Sequence, residues 1–164
     1  MILLHNIGLR HNSNYNTPDE IAASQGPLSF DGVYYNVYTN RHLLKDRDVT
    51  LFIMGNYIGK DNAFDRGQLP ETFCDWKEIL ELKECYGVKL GWHTWTHRNL
   101  CWLTDDEVRR EITPPFEMDY FAYPYGVCDA RVADLVAAQG YKEAWSVTQG
   151  DGSQFQRKRR YLNW

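Results

Sequence analysis

The stretch VKLGWHTWTHRNL, residues 88–100, runs from an apolar segment straight into two histidines, His93 and His97. Its opening, VKLGW (88–92), has the length and the apolar, aromatic character of a strand buried on both faces. If a helix starts after Trp92, His93 and His97 share one face, one turn apart. That spacing lets two imidazoles hold one divalent ion at ~2.0–2.1 Å. Taken alone, the spacing fits equally well a helix cap, a pairing with surface acids, or coincidence. A zincin-type protease is excluded, because its general base is a Glu directly after the first His and Thr94 stands there.

Working outward from this stretch, runs of the same kind recur at MILLH (1–5), PLSFD (27–31), VTLFIM (49–54), YFAYP (120–124) and EAWSV (143–147). Helix starts lie between several of them. Thr17-Pro-Asp-Glu20, Asp75-Trp-Lys-Glu78 and Thr104-Asp-Asp-Glu107 each set a capping side chain three residues before a Glu that reaches back to it. Pro18 adds the residue favoured at the first helical position. Gly87, Pro114-Pro115 and Gly140 supply stops, the last for a helix starting near Asp129 with Val132, Leu135 and Val136 as its buried stripe. Strand alternating with helix predicts an α/β fold with a largely parallel sheet, whose chemistry gathers at the carboxyl ends of the strands. Asp31, His93 and Tyr125 all fall at or just after predicted strand ends.

Composition bounds the rest. A chain of 164 residues, 43% hydrophobic and 15% aromatic, forms a single globular domain over 1–164. Its net charge of −4 argues against nucleic acid or an anionic membrane surface as partner. There is no membrane span, and MILLHNIG is too short in apolar character for a signal peptide, so a cytoplasmic location is expected. The four cysteines, Cys74, Cys85, Cys101 and Cys128, form no CxxC pair and are read as reduced thiols, three of them packing residues.

The ordered motifs resemble the polysaccharide deacetylases of the NodB-homology type, carbohydrate esterase family 4-like. PLSFDGVYYNVY is similar to the first motif, Ser/Thr-Phe-Asp-Asp-Gly. HTWTH matches the second, His-Ser/Thr-x-x-His. FAYPYG (121–126) is similar to the third as it stands in the poly-N-acetylglucosamine deacetylase branch, and MILLHNIG, VTLFIMGNYIG, GYKEAWSV and RRYLNW resemble the intervening and closing passages. The resemblance implies a distorted, incomplete (β/α) barrel and metal-dependent removal of N-acetyl groups from an oligo- or polysaccharide. It implies His93 and His97 as ligands to a divalent metal, zinc first, with cobalt or nickel as alternatives. It implies Asp31 as the base, the Tyr125 N–H as oxyanion donor, and Trp95, Tyr123, Pro124 and Tyr125 as substrate-binding residues.

The pattern departs from the family in three places. The second Asp of the first motif, the third metal ligand, falls on Gly32, which has no side chain to offer. Three resolutions stand open: Asp31 turns ligand, another residue (His5, His11 or Asp61) fills the gap, or the site has lost its metal and binds glycans without turnover. No His follows His97 to serve as the late general acid, so His5 is the candidate extra ligand or acid. Ala122 stands where many members carry an Arg that orients the base. The basic run RKRR (157–160) reads as a solvated edge that guards an edge strand, with Arg160 resembling a recurrent arginine before the last strand.

Overall fold

The computed structural model describes residues 1–9, 12, 14–65, 69–148 and 151–162. The apolar runs form strands: β1 (Ile2–Leu4), β4 (Leu28–Asp31), β5 (Val49–Ile53), β6 (Lys89–Trp92), β7 (Tyr120–Ala122) and β8 (Glu143–Ser146). Two further short strands, β9 (Arg157–Lys158) and β10 (Arg160–Tyr161), complete one eight-stranded sheet in the order β10-β1-β4-β5-β6-β7-β8-β9, with every pairing parallel. A separate pair, β2 (Asn6–Ile7) and β3 (Tyr15–Asn16), lies beyond β1.

The sheet is a nearly closed barrel, and the basic run near the end of the chain closes it. Arg157–Lys158 pairs with β8, while Arg160–Tyr161 pairs with β1. The N–H of Arg159 donates to the Ser146 carbonyl at 2.9 Å and that of Arg160 to the Met1 carbonyl at 3.3 Å, so the chain changes partner within one residue. This corrects the reading of RKRR as a solvated edge. Strand alternation turns Lys158 and Arg160 outward, whereas Arg159 is 4% exposed and faces inward.

The helices follow their caps. Thr17, Asp75 and Thr104 each form a full capping box at the start of α1 (Pro18–Ala23), α3 (Trp76–Tyr86) and α4 (Asp105–Ile112). Besides these, α2 (Tyr35–Thr39) follows β4 and α5 (Ala130–Ala138) follows β7. Gly87 ends α3 in the left-handed conformation, φ 68°. Asp129 caps α5, whose Val132, Leu135 and Val136 are all buried. Burial of these apolar stripes on the barrel wall, at about 25 cal/mol per Å² of apolar surface, is the main force fixing strand ends relative to one another. Among the described residues no helix is long and apolar enough to cross a membrane. All four cysteines are free; Cys74 and Cys128 are buried and Cys85 is exposed.

Candidate active site

A cleft of about 280 Å³ opens at the carboxyl ends of the strands. Asp31, the last residue of β4, meets His93, the first after β6, with Asp31 Oδ2 3.6 Å from His93 Nε2. His97 lies against them, its ring centroid 4.9 Å from that of His93. His5 follows β1, and Tyr125 follows β7; both line the same cleft, as do Phe64, Asp65 and Tyr161.

The histidine segment is not a helix. Thr94 and His97 both take positive φ, 71° and 57°, so the rings meet across a tight loop rather than along a helical face. The loop is shaped from outside. The buried Glu111 of α4 accepts from the N–H groups of Trp95 (3.0 Å) and Thr96 (2.9 Å) and from the Thr96 hydroxyl. The Thr94 and Trp95 carbonyls accept from Gly55 and Asn56, each at 3.0 Å, and the His97 N–H donates to Thr94 Oγ1. Charge-assisted bonds of this kind are roughly twice as strong as neutral ones, which offsets two left-handed residues outside glycine.

His93 is held with Nε2 forward. Its Nδ1 lies 2.7 Å from the Ala122 carbonyl, to which it can only donate, so Nε2 carries the lone pair towards Asp31. Burial, the largest cause, lowers the His93 pKa against the attraction of Asp31. His97 is pushed down to about 3 by burial and then by His93, and His5 to about 4, again chiefly by burial. All three rings are therefore neutral near pH 7. His5 Nδ1 has no hydrogen-bond partner among the described residues.

Asp31 is the carboxylate of the cluster. Burial by itself raises its pKa, but Arg159, then His93, outweigh burial and hold the carboxyl well below the usual carboxylate range. Arg159 grips it as a fork, Nη2 to Oδ2 at 2.7 Å and Nη1 to Oδ1, with Nη1 also 3.2 Å from Ser29 Oγ. The guanidinium lies over the Phe52 ring at 5.1 Å. An arginine absent at Ala122 thus reaches Asp31 from the barrel seam. The residue is Arg159, not Arg160, which faces out. The signal was present in the alternation of the run, since Arg159 and Tyr161 share a face that Arg160 cannot.

Several expected residues stand elsewhere. Trp95 packs edge-on against Trp92 and donates from Nε1 to the Thr113 carbonyl, away from the cleft. Tyr123 is fully buried, its hydroxyl bound to the Phe155 carbonyl, and Pro124 is buried beside it. None of the three lines the cleft. Tyr125 does, at φ 59° and 63% exposed, with its ring 4.7 Å from His97. Its N–H has no acceptor among the described residues. Asp61 is exposed and accepts from Ala63, whereas Asp65 of the same loop reaches the cleft, where burial raises its pKa. His11 lies outside the described residues.

The anchored His93, its free lone pair facing a carboxylate oxygen, is the arrangement a ligand adopts. The count falls short: both Asp31 oxygens are engaged by Arg159, and Gly32 adds nothing. A Cβ on Gly32 would lie 2.9 Å from Met54 Cε and from Phe73 Cε1, in an apolar cluster completed by Tyr34. Among the described residues no three His, Cys, Asp or Glu side chains are disposed to hold an ion, fewer than zinc takes from proteins. Among the described residues, His93 and His97 are thus the side chains free to hold an ion, one short of the family's set.

Several solved structures share the architecture. PplD, a deacetylase of Streptococcus pyogenes solved in complex with acetate, matches with a TM-score of 0.76 at 15% identity, over 99% of this chain and 92% of its own. BC0361, a polysaccharide deacetylase from Bacillus cereus, matches at 0.76 and 15%, over 98% of this chain and 63% of its own. IcaB from Ammonifex degensii matches at 0.73 and 16%, over 98% and 90%. No curated protein matches the chain in sequence. The family model for polysaccharide deacetylase matches residues 27–144, from the first strand motif through the strand after α5, and on that ground the chain belongs to the polysaccharide deacetylase family.

Proposed function

We propose that this chain removes acetyl groups from N-acetylated oligo- or polysaccharides in the cleft at the carboxyl ends of its strands. The observation that carries the reading is the meeting of Asp31, His93 and His97 at one opening, 3.6 Å between the nearest atoms of Asp31 and His93, in a chain of this family. Acetate, held by the similar deacetylase PplD, is the product such a reaction releases.

Hydrolysis of an acetamide needs a proton acceptor for the attacking water, a donor to the oxyanion and a proton for the departing amine. Asp31 is the acceptor. A carboxylate has about four lone-pair sites, so the Arg159 fork leaves capacity for a proton, at some cost in basicity. The Tyr125 N–H is the oxyanion donor. As the C–N bond breaks, the proton taken from water passes to the amine, and His5 is the imidazole we assign to relaying it. A divalent ion of the kind the family uses would be held by His93 and His97.

A second reading, glycan binding without turnover, draws on Gly32 and on the grip of Arg159 on Asp31. Acetate release from chito-oligosaccharides, measured with metal analysis and with zinc, cobalt, nickel or a chelator added, separates the two. Release that vanishes in Asp31→Asn supports hydrolysis. Saturable binding with no acetate under any addition moves the protein to the second reading, and neither binding nor release sinks both.

A further inference from the structure

Trp102 is 85% exposed, while Trp92 is fully buried and Trp145 is 9% exposed. An indole left in water forfeits a large hydrophobic gain unless something covers it in use. The ring is not on a loose tail. It ends the short 3₁₀ turn Leu100–Trp102, between Leu100 and Leu103, both buried, and the turn is capped by Asn99 Oδ1 accepting from the Cys101 N–H. Trp102 borders a second depression of about 500 Å³, which shares Phe64, His97 and Tyr125 with the catalytic cleft. The two hollows are therefore one groove, with Phe64 and Tyr125 exposed along it between His97 and Trp102.

We infer that this extension is a sugar-binding subsite, in which Trp102 stacks on the pyranose next to the one whose acetamido group reaches His97. The inference rests on the proposed deacetylation and deepens it by assigning Trp102 as the side chain that reads the neighbouring sugar. Pyranose rings present a face of C–H groups with hydroxyls at the rim, which suits aromatic walls with a few polar groups between them. The polar groups here suit a neutral ligand. Arg98, the cation of this depression, is already paired with Glu107 at 3.3 Å. Asn99 has committed its carbonyl oxygen to the turn, so it offers the amide N–H₂ to a hydroxyl or an acetyl oxygen. Among the described residues of this stretch, a phosphate-bearing or acidic polymer would meet no unpaired cation.

The experiment measures binding and acetate release for N-acetylglucosamine and its β-1,4 oligomers up to the pentamer, with wild type, Trp102→Ala and Trp102→Phe. Wild type is expected to bind the trimer roughly tenfold more tightly than the monomer, the order set by one stacked ring. Trp102→Ala should lose that gain while keeping monomer affinity and kcat at saturation; Trp102→Phe should keep most of it. Because the ring is exposed, both variants should melt with wild type. A Trp102→Ala length profile identical to wild type overturns the subsite while leaving deacetylation in place. Wild type that binds and hydrolyses no oligomer of any length overturns the functional reading and the subsite with it.

Discussion

The two halves of the cleft were treated differently. Around β6, the histidine loop has its full support: His93 anchored to Ala122, the loop amides held by Glu111, and both rings at the opening. Around β4 the surroundings are of another kind. Gly32 brings no side chain, Met54, Phe73 and Tyr34 occupy the space beside it, and Asp31 is clamped by an arginine from the barrel seam. One half is held by polar support for its loop, the other by apolar packing and a buried ion pair. The difference teaches that two sides of one rim can be fixed independently, because each is held by its own neighbours.

The sharpest way to break the comparison is through Asp31. Asp31→Asn leaves the Arg159 guanidinium buried without a counter-charge and should cost about 3–5 kcal/mol in a denaturant titration. Adding Arg159→Met to Asp31→Asn should recover most of that loss without restoring acetate release. Full stability in Asp31→Asn alone would mean that the pair is not the constraint described here.

On the other half, Glu111→Gln keeps the shape but removes the charge that the loop amides share. A loss of about 1.5–3 kcal/mol is expected, together with a fall in acetate release greater than that of a solvent-facing Glu84→Gln control. Equal activity in the two variants would remove Glu111 from any positioning role. Gly32→Ala tests the β4 half in the opposite sense. At φ 67° a Cβ costs roughly 1–2 kcal/mol, and contacts with Met54 and Phe73 add to it. Met54→Ala in the same chain should relieve the first contact but neither the Phe73 contact nor the backbone strain, as read from paired thermal melts.

The smallest effect concerns pH. The His5 pKa falls from 6.5 in the unfolded chain to about 4 in the fold. The stability contributed by its neutral form is fully present above 6.5 and is lost as pH drops towards 4, because only the unfolded state takes up the proton across that window. At pH 6 the loss should be under about 1 kcal/mol. His5→Phe should flatten this part of the pH–stability curve, and an unchanged slope would show that other groups set it.

Much of the fold was legible beforehand because its signals are local. Each apolar run became a strand, and each capping triplet started a helix within a residue of its expected place. The meeting of Asp31 and His93 was equally legible, since a parallel sheet carries strand-end residues to one rim. The helical option at His93–His97 is not taken, because Glu111, fourteen residues past His97, captures the loop amides instead. Trp95 and Tyr123 were drawn to main-chain carbonyls of Thr113 and Phe155, partners that periodicity does not reveal.

By itself, then, the order of residues determined the strand–helix alternation, the caps and the rim on which chemistry gathers, all of which follow from side-chain period and short-range hydrogen bonding. Only the tertiary structure decided which arginine meets Asp31 and that apolar side chains crowd Gly32. It also decided that Trp102 extends the groove beyond His97. Arg159 and Asp31 lie 128 positions apart and meet because the last strands close the barrel onto the first, which brings a buried charge to its counter-charge. No local pattern encodes a pairing made only when the ring shuts.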